Sequence, residues 1–369
     1  MSRFKNICYF FNYASHYREE IYLKMEEELG GDFYFGDIEN DRMEKINYAL
    51  FSGKIQELHT YRLFSDFVWV RRGWQLVFKP YNIYIVTGEY YNITTWLILL
   101  LNRMLGKKTF LWTHGWYGNE TRIKKAVKKV YHWLATGILL YGDYARRLMI
   151  SEGFDPKRLQ VIYNSLSYER QLGIREKLTN TSVFYSIFGN SHPVIIFTGR
   201  LTPVKKLDQL LKAQEALMNK GVSINVFILG DGTEKANLEG LCKTYGVSGF
   251  VHFYGACYDE QKIAEFYYNA DCCVSPGNVG LTGIHAMSYG CPVISHNNFS
   301  EQMPEFEVIQ EGQTGLFFKQ NDVEDLSVKI QTILCMNRNT LRDNCFKVID
   351  HHYNTRFQIK LLHKILSTI

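Results

Sequence analysis

The amino-acid sequence predicts an α/β fold made of two Rossmann-like, doubly wound domains that face each other across a cleft. Short apolar runs alternate with amphipathic helical patterns along the whole chain, which is typical of parallel sheets covered by helices. Residues 166–191 lack clean periodicity and separate one such series from a second. Of the 369 residues, 46% are hydrophobic and only seven are proline, so both series are long enough to fold around cores.

The first series opens with the apolar run 6–11, which leads through a polar loop into a helical pattern at 18–29. Further strand patterns alternate with helical ones up to the loose stretch, and each has the length of a buried strand. These strand patterns are 33–37, 84–88, 108–115, 137–143 and 159–165.

The second series begins with a strand pattern at 193–200 and an amphipathic helix at 206–221. The stretch "SPGNVGLTGIHAMSYGCPVI", residues 275–294, reads as a strand end, a glycine turn, a short helix and a second strand. A helical tail at 340–368 closes the chain. The other strand patterns of this half are 224–232, 251–255 and 314–318.

These series predict domains over residues 1–175 and 176–345, with the helix at 346–369 packing back on the N-terminal domain. In open parallel sheets, ligands bind outside the carboxyl ends of the strands. We therefore expect the functional residues in the loops that follow the strand patterns, at the cleft between the two domains.

Composition excludes several classes of protein. The net charge of +5 is mild, and no zinc-finger spacing or basic run with interleaved aromatic residues indicates nucleic-acid binding. The eight cysteines form no CxxC pair and the opening apolar run is too short for a signal peptide, so we expect a reduced, cytoplasmic protein. No His/Cys cluster has metal-ligand spacing, so we expect neither a metal nor a cofactor.

Membrane contact, if present, is expected to be peripheral. The longest apolar stretch, 93–105, is broken by Asn102 and Arg103 and is shorter than the roughly 20 residues that span a bilayer. The following segment 122–133 mixes basic and apolar residues in a helical pattern. Such a helix either lies on anionic lipid, here the inner face of the plasma membrane, or is an ordinary solvated surface helix, and the sequence leaves both open.

Gly277, Gly280 and Gly283 stand where the short helix of 275–294 begins. The first turn of a helix has N–H groups without intrahelical partners and a partial positive charge, and glycine lets a ligand approach the backbone. This pattern predicts a phosphate site, although a tight turn alone would also use glycines. Arg200 and Lys205 favour the phosphate site, because both cations follow a strand pattern and border the start of the next helix.

Several segments carry a family resemblance, which is strongest over 190–320 and weaker elsewhere. They are "VIIFTGRLTPVKKLDQLLKA", "VFILGDGTEKANLEGL", "VHFYGACYDEQKIAEFYYNADCCVSPG", "GLTGIHAMSYGCPVISHN" and "PEFEVIQEGQTGLFF" in the second half, and "LWTHGWYGNE" and "LQVIYNSLSYE" in the first. Together they resemble GT-B glycosyltransferases of family 4, which use nucleotide-sugar donors and retain the anomeric configuration. The resemblance implies that domain 1–175 binds the acceptor and domain 176–345 the nucleotide sugar.

The resemblance also implies residue roles. Arg200 and Lys205 would hold the donor diphosphate and stabilise the leaving group, with His114 near the sugar, and these three are the expected catalytic residues. The expected donor-binding residues are Gly199, Ala256, Cys257, Gly277, Asn278, Gly280, Leu281, Thr282, His285 and Glu305. The expected acceptor-binding residues are Asn12, Ser15, His16 and Tyr17.

One departure from the family pattern stands out. The family usually carries two glutamates separated by seven residues, the first on the donor sugar and the second on the ribose. The corresponding positions here are Gly277 and His285, so neither is a carboxylate. His285 can still hydrogen-bond a hydroxyl through a ring nitrogen, or it can be a helix-face histidine whose hydrogen bonds are met within the protein.

The function implied is sugar transfer from a nucleoside-diphosphate sugar to a glycan or lipid-linked glycan, with retention, in surface polysaccharide or lipopolysaccharide biosynthesis. Two alternatives stay open. The absence of both glutamates favours a non-catalytic nucleotide-sugar-binding partner subunit, and the same fold also hosts nucleotide-sugar 2-epimerases. A 2-epimerase would need a set of catalytic carboxylates that the sequence does not assign.

Overall fold

The computed structural model describes residues 6–38 and 44–368. The chain forms two units, one made of Met1–Ser167 with Asn354–Ile369 and the other of Tyr168–Tyr353. Each unit is built on its own parallel sheet with crossover connections, so the predicted pair of Rossmann-like, doubly wound domains is confirmed.

The central strands of the first unit are mainly apolar, because parallel strands are covered by helices on both faces. All five residues of the first strand, "ICYFF", are buried. The strands are β1 (Ile7–Phe11), β2 (Asp32–Gly36), β3 (Ile55–Leu58), β4 (Thr60–Arg62), β5 (Val68–Val70), β6 (Ile83–Thr87), β7 (Lys108–Thr113), β8 (Gly137–Leu140) and β9 (Leu159–Val161). The intervening helices are α1 (Glu19–Leu29), α2 (Ile93–Met104), α3 (Arg122–Leu134) and α4 (Asp143–Ser151).

In the part of the first unit that the structure describes, the sheet order is β3-β2-β1-β6-β7-β8-β9 and every neighbouring pair is parallel. The order reverses between β1 and β6, so the loops after these two strands diverge and leave room for a ligand. Neither β3 nor the antiparallel hairpin β4–β5 was predicted, because β3 and β4 are partly exposed and carry no apolar run, and β5 is only three residues long.

The second unit repeats this architecture. Its strands are β10 (Val194–Thr198), β11 (Asn225–Leu229), β12 (Val251–Gly255), β13 (Cys272–Ser275), β14 (Val293–His296) and β15 (Gly315–Phe318). Its helices are α5 (Tyr168–Arg175), α6 (Val183–Phe188), α7 (Leu207–Asn219), α8 (Lys235–Thr244), α9 (Glu260–Asn269), α10 (Leu281–Ser288), α11 (Val323–Cys335) and α12 (Arg338–His352). The sheet order is β12-β11-β10-β13-β14-β15, which reverses between β10 and β13.

The unit boundaries lie at 167/168 and 353/354, whereas the sequence analysis placed them at 175/176 and 345/346. Helix α5 belongs to the second unit because Arg175 forms an ion pair with Asp350 of α12, at 2.9 Å between Nη2 and Oδ2. The segment 166–191 also contains α5 and α6, although its sequence shows no clean helical period.

The tail 340–368 is two helices and not one. Helix α12 ends before Tyr353, and the side chain of Asn354 then accepts a hydrogen bond from the N–H of Phe357 at 2.8 Å, which starts α13 (Thr355–Leu366). Helix α13 contributes Ile359, Leu362 and Leu366 to the core of the first unit. In the described residues, no helix combines the length and the hydropathy that crossing a membrane requires.

A buried ion pair organises the loop that follows β7. Lys128 of α3 and Glu120 are both almost fully buried, with 2.6 Å between Nζ and Oε1, and Lys128 also donates to the carbonyl of Gly115 at 2.6 Å. The Glu120 carboxylate accepts the N–H groups of Tyr117 and Gly118 at 2.8 and 2.9 Å. These bonds hold the pKa of Glu120 below its usual value despite burial, and they fix the backbone of the loop.

Replacing Lys128 with methionine should lower the free energy of unfolding by about 3–5 kcal/mol, because Glu120 would remain buried without its counter-charge. Urea denaturation followed by tryptophan fluorescence measures this change. Lys129→Met is the matched control, since Lys129 is the exposed neighbour on the same helix, and its effect should stay within about 0.5 kcal/mol. Equal effects of the two substitutions would contradict the structural role of the pair.

Candidate functional site

The candidate site of the second unit lies where its sheet order reverses. Strands β10 and β13 are neighbours, and each is followed directly by a loop with sequence-predicted residues. Gly199 and Arg200 come after β10, and Gly277 and Asn278 come after β13. Arg200 is exposed, so its guanidinium is available to an anion at this edge of the sheet.

Lys205 joins the two loops. The N–H of Gly277 donates to the carbonyl of Lys205 at 3.0 Å, and the Lys205 Nζ donates to both the carbonyl and the Oδ1 of Asn278 at 2.8 Å. An ammonium has three N–H donors. Two of the three are committed to Asn278, so one remains for a ligand and the position of the charge is fixed before any ligand binds.

The loop after β13 is also supported from beneath. The Ser295 hydroxyl donates to the carbonyl of Gly277 at 3.2 Å, and the N–H of Val279 donates to the Oε1 of Gln302 at 2.9 Å. Gln302 in turn donates to the Ser295 Oγ at 2.8 Å, and both side chains are buried. This buried polar network gives the loop a defined backbone.

Helix α10 begins at the end of this loop with no side chain capping its first turn. Gly280 precedes the helix with φ +51°, which lies in the left-handed region that favours glycine. The Thr282 hydroxyl donates to the carbonyl of Thr198 at 3.2 Å and so ties the first turn of α10 to the end of β10. The N–H groups of the first turn, including those of Leu281 and Thr282, can therefore donate hydrogen bonds to an anion that lies next to the residues that follow β10.

Electrostatics at Lys205 match this arrangement. Burial and the charge of Arg200 lower the pKa of Lys205 to about 8, while the nearby charge of Glu305 acts in the opposite direction. Glu305 is buried in the segment that follows Gln302. Lys205 is thus mainly protonated at neutral pH, and an anion would compensate the cost of burying its charge.

Gly277 has no room for a side chain. A Cβ at this position would lie 1.9 Å from the carbonyl oxygen of Val204 and 2.9 Å from the Cα of Lys205. A side chain at position 277, such as the glutamate that the family resemblance implies there, therefore cannot be accommodated with this backbone. The close contact between the two loops requires glycine at this position.

His285, a donor-binding residue predicted from the sequence, is paired with a carboxylate from another helix. Its Nε2 lies 2.9 Å from the Oε1 of Glu260, the first residue of α9. The same oxygen accepts hydrogen bonds from the Tyr289 hydroxyl at 2.6 Å and the Gln171 amide at 3.1 Å. Burial would raise the pKa of Glu260, but the hydrogen bonds and charge of these partners, above all His285, lower it to about 2.

Ala256 and Cys257 lie in the turn between β12 and α9. Gly255 turns the chain with φ +88°, and the Asp259 side chain caps α9 by accepting the N–H of Gln261 at 3.0 Å. Cys257 lies three residues before Glu260, the first residue of α9. The turn is therefore joined through the start of α9 to the carboxylate that pairs with His285.

The sequence-predicted residues of the first unit fall in two environments. His114 follows β7 and is buried; burial, and then the charges of Arg18 and Lys128, lower its pKa to about 4, so the ring is neutral at pH 7. Asn12 follows β1, where its N–H donates to the Thr87 Oγ1 at 3.2 Å. The remaining acceptor candidates are a buried Ser15, an exposed His16 and a half-buried Tyr17.

Two carboxylates near the candidate site residues were not predicted from the sequence. Glu260 is one, and Glu89 is the other: it follows β6 at the reversal point of the first sheet, where the Asn12 side-chain amide donates to it. Burial raises the pKa of Glu89 despite hydrogen bonds from Tyr91 and Asn12. The signal for Glu89 was its place directly after a strand pattern, in "IVTGE".

Within residues 6–38 and 44–368, no group of three or more His, Cys, Asp or Glu side chains is placed to hold a metal ion. The expectation that the protein needs no metal or cofactor stays a prediction.

Gly277→Ala should lower the free energy of unfolding by about 3 kcal/mol or more, because the added methyl group would displace the backbone of Val204 and Lys205. Gly240→Ala is the control: Gly240 lies in α8 with open space around it, so alanine there should stabilise by about 0.5–1 kcal/mol. Chemical denaturation measures both. A neutral Gly277→Ala variant would show that the two loops do not depend on this contact.

Comparison with known proteins identifies part of the chain. Residues 184–347 match the family described as "Glycosyl transferases group 1". A sulfoquinovosyl transferase, SQD2 of Arabidopsis thaliana, is 30% identical over 147 residues, which are 38% of this chain and 26% of that protein. The matches to two further curated relatives cover 36% of the length of each of those proteins. The chain thus spans well under two thirds of the length of all three relatives.

Solved structures resemble the chain over its full length. The apo form of the lipopolysaccharide outer core galactosyltransferase WaaB matches with a TM-score of 0.72 at 15% identity. The match covers 98% of this chain and 99% of the WaaB chain. Anabaena Alr3699/HepE in complex with UDP matches with a TM-score of 0.73 at 12% identity. The match covers 99% of this chain and 100% of the HepE chain. Residues 184–347 are therefore similar to the glycosyl transferases group 1 family, in a chain whose two Rossmann-like domains share the GT-B fold of these solved structures.

Proposed function

We propose that this protein is a glycosyltransferase that moves a sugar from a nucleoside-diphosphate sugar to a glycan or lipid-linked glycan. The observation that carries the proposal is the Lys205 ammonium, held by Asn278 beside the uncapped start of α10 and the exposed Arg200. One remaining ammonium donor, a guanidinium and backbone N–H groups form a set suited to a diphosphate. The group 1 match of residues 184–347 supports this assignment.

In this proposal, Arg200 and Lys205 stabilise the negative charge that develops on the leaving diphosphate. Positive side chains and backbone N–H groups do this without a metal ion, so chelators should leave activity unchanged. Transfer proceeds with retention, and the leaving phosphate itself takes the proton of the acceptor hydroxyl, since no nucleophile of the protein is assigned.

The acceptor binds the first unit, at the ends of β1, β6 and β7. The neutral ring of His114, the Asn12 amide and the Glu89 carboxyl are the polar groups proposed to receive it. A place in surface polysaccharide or lipopolysaccharide biosynthesis is supported by the likeness to WaaB, which is described as a lipopolysaccharide outer core galactosyltransferase.

Gly277 and His285 favour a second candidate function, because they leave the domain without the two glutamates of the family pattern. A non-catalytic partner subunit would bind the nucleotide sugar without transferring it. Measuring nucleoside-diphosphate release from UDP-, GDP- and ADP-sugars, with and without deacylated lipopolysaccharide core as acceptor, separates the two. Acceptor-dependent release supports the transferase, whereas binding without release on any acceptor supports the partner subunit.

Arg200→Ala should weaken the binding of a nucleoside diphosphate by about tenfold or more, because a charge-assisted hydrogen bond to phosphate contributes roughly 1.5–3 kcal/mol. Thermal shift and calorimetric titration with UDP, GDP and ADP measure the loss. Lys243→Ala, which removes an exposed cation from α8 of the same unit, is the control and should leave the affinity unchanged. Equal affinities for wild type and Arg200→Ala would rule out the proposed diphosphate contact.

The same titration should depend on pH. With a Lys205 pKa of about 8, the affinity should fall as the pH rises past 8, because the ammonium that faces the diphosphate loses its proton. A Lys205→Met variant should bind more weakly at neutral pH and lose this dependence.

Peripheral membrane contact is proposed for the face formed by α2 and α3. Several of its apolar side chains are exposed, including Met104 at 80% and Ile123 at 79%. The Arg103 guanidinium stacks over the ring of Trp133 at 4.1 Å and joins the ends of the two helices. Exposed cations of the same helix, α3, complement anionic lipid: Arg122, Lys124 and Lys129.

The double substitution Ile123→Ser/Val130→Ser should weaken binding to vesicles containing phosphatidylglycerol by about tenfold or more, because burying each apolar side chain contributes roughly 1.5–3 kcal/mol. Co-sedimentation at low and high salt measures this. Tyr185→Ser removes an exposed aromatic residue from the second unit and should have no effect. Equal binding of the double variant and wild type would leave α3 as an ordinary solvated helix.

A further inference from the structure

A surface cavity of about 170 Å³ lies where α2 and α3 end and where β7 and β8 begin. Three cationic side chains line it, Arg103, Lys107 and Lys108, and among the residues that the structure describes no acidic side chain does. The predicted site residues of the first unit follow the carboxyl ends of β1 and β7, whereas this cavity lies at the amino ends of β7 and β8. It is therefore a separate site, and its lining favours negative charge.

Two of these cations have side chains that are free to bind a ligand. Arg103 is exposed, and its guanidinium lies over the face of the Trp133 ring, 4.1 Å from the centroid. Stacking on an aromatic face leaves the in-plane N–H donors of a guanidinium available. Lys108 is also exposed, and within residues 6–38 and 44–368 neither side chain has a hydrogen-bond or ion-pair partner.

Lys107 provides a positive charge that is fixed in position. Its Nζ donates to the carbonyls of Val77 and Lys79 at 2.6 and 3.0 Å and to the Tyr84 hydroxyl at 3.5 Å. Burial lowers the pKa of Lys107, and in the described part of the chain no carboxylate forms an ion pair with it. An anion in the cavity would compensate the cost of burying this charge.

The end of α3 is prepared for an anion by Arg158. The carboxyl end of a helix carries a partial negative charge, which would repel an anion. The Nη2 of Arg158 donates to the carbonyls of His132 and Trp133 at 3.2 and 3.0 Å and so offsets that charge. Burial and the charge of Arg103 lower the pKa of Arg158, while Asp155 acts in the opposite direction. The two guanidinium groups thus repel each other, and an anion nearby would relieve this repulsion.

The cavity is bordered by exposed apolar side chains. Met104, Leu105 and Trp133 are exposed by 80%, 53% and 54%, and they flank Arg103 and the end of α3. A free phosphate ion would gain nothing from these side chains. A lipid would, because its phosphate can enter the cavity while the apolar side chains enter the boundary between headgroups and acyl chains, where tryptophan is also favoured.

We propose that this cavity binds the phosphate of an anionic phospholipid whose headgroup carries no amine. The phosphate contacts Arg103 and Lys108, and an amine in the headgroup would face these cations without an acidic partner. This inference rests on the membrane contact proposed above for α2 and α3. It adds a specific headgroup site to a face that would otherwise distinguish lipids by net charge alone.

The test is co-sedimentation of the full chain with phosphatidylcholine vesicles that contain equal fractions of either phosphatidylglycerol or phosphatidylserine. The two anionic lipids have the same net charge, but only phosphatidylserine adds an ammonium group. The wild type should bind the phosphatidylglycerol vesicles about fivefold or more tightly, because like charges placed together weaken binding. This comparison needs no variant, so it does not depend on how well a variant folds.

The double substitution Arg103→Gln/Lys108→Met should reduce the preference for phosphatidylglycerol to under about twofold. Both side chains are exposed, so the fold should be little affected. Lys129→Met, which removes an exposed cation from the middle of α3, is the matched control. It should weaken binding to both kinds of vesicle alike and keep the preference, since it changes net charge without changing the cavity.

A soluble phosphate separates the two sources of the same chemistry. Calorimetric titration with glycerol 1-phosphate should show much weaker binding than the vesicles do, because the apolar border of the cavity adds nothing for a soluble ligand. Binding of glycerol 1-phosphate as tight as that of the vesicles, and lost in the double variant, would assign the cavity to a free phosphate and overturn the lipid.

The remaining outcomes distinguish the headgroup site from the membrane face. Equal binding to phosphatidylglycerol and phosphatidylserine, lost in Ile123→Ser/Val130→Ser, overturns the headgroup site and leaves the membrane face standing. The absence of binding to any vesicle overturns both, and the diphosphate site is tested separately. A preference that survives Arg103→Gln/Lys108→Met overturns the role of these two cations.

Discussion

The contact between the backbone of Lys205 and that of Gly277 is the constraint on which the candidate donor site depends. Two loops that follow neighbouring parallel strands are drawn together until a Cβ would lie 1.9 Å from a carbonyl oxygen. Only with this approach can the Lys205 ammonium reach Asn278 and still keep a donor for a ligand. The buried Ser295 and Gln302 side chains then hold the loop, so the site is organised before any anion arrives.

The alternation of strands and helices, the two sheets and the anion-binding turn could be predicted from sequence, because each depends on local patterns of apolar residues and glycines. The small strands β3, β4 and β5 could not, since β3 is a partly exposed edge strand and β4 and β5 are three-residue strands of a separate hairpin. The break between α12 and α13 depends on the cap by Asn354, a local signal within a pattern that otherwise reads as one helix. The pairing of Glu260 with His285 joins residues on two helices, which no local pattern encodes.

The two units treat their ionisable residues in opposite ways. In the first, burial keeps His114 neutral at pH 7 and raises the pKa of Glu89 above its ordinary value. In the second, Lys205 and Glu260 stay charged because Asn278, His285 and Tyr289 hydrogen-bond them. The charged groups of the second unit support the proposal that it binds an anionic ligand.

The return of α13 to the first unit makes that unit discontinuous in the chain. Its core needs Ile359, Leu362 and Leu366, and the Gln358 amide donates to the carbonyl of Tyr163 at 3.1 Å. The first unit therefore cannot complete its core until residues 355–366 pack on it, although the whole second unit lies between them and the rest of that core in the chain. Folding of the first unit thus depends on contacts between residues that are far apart in sequence, which are slow to form.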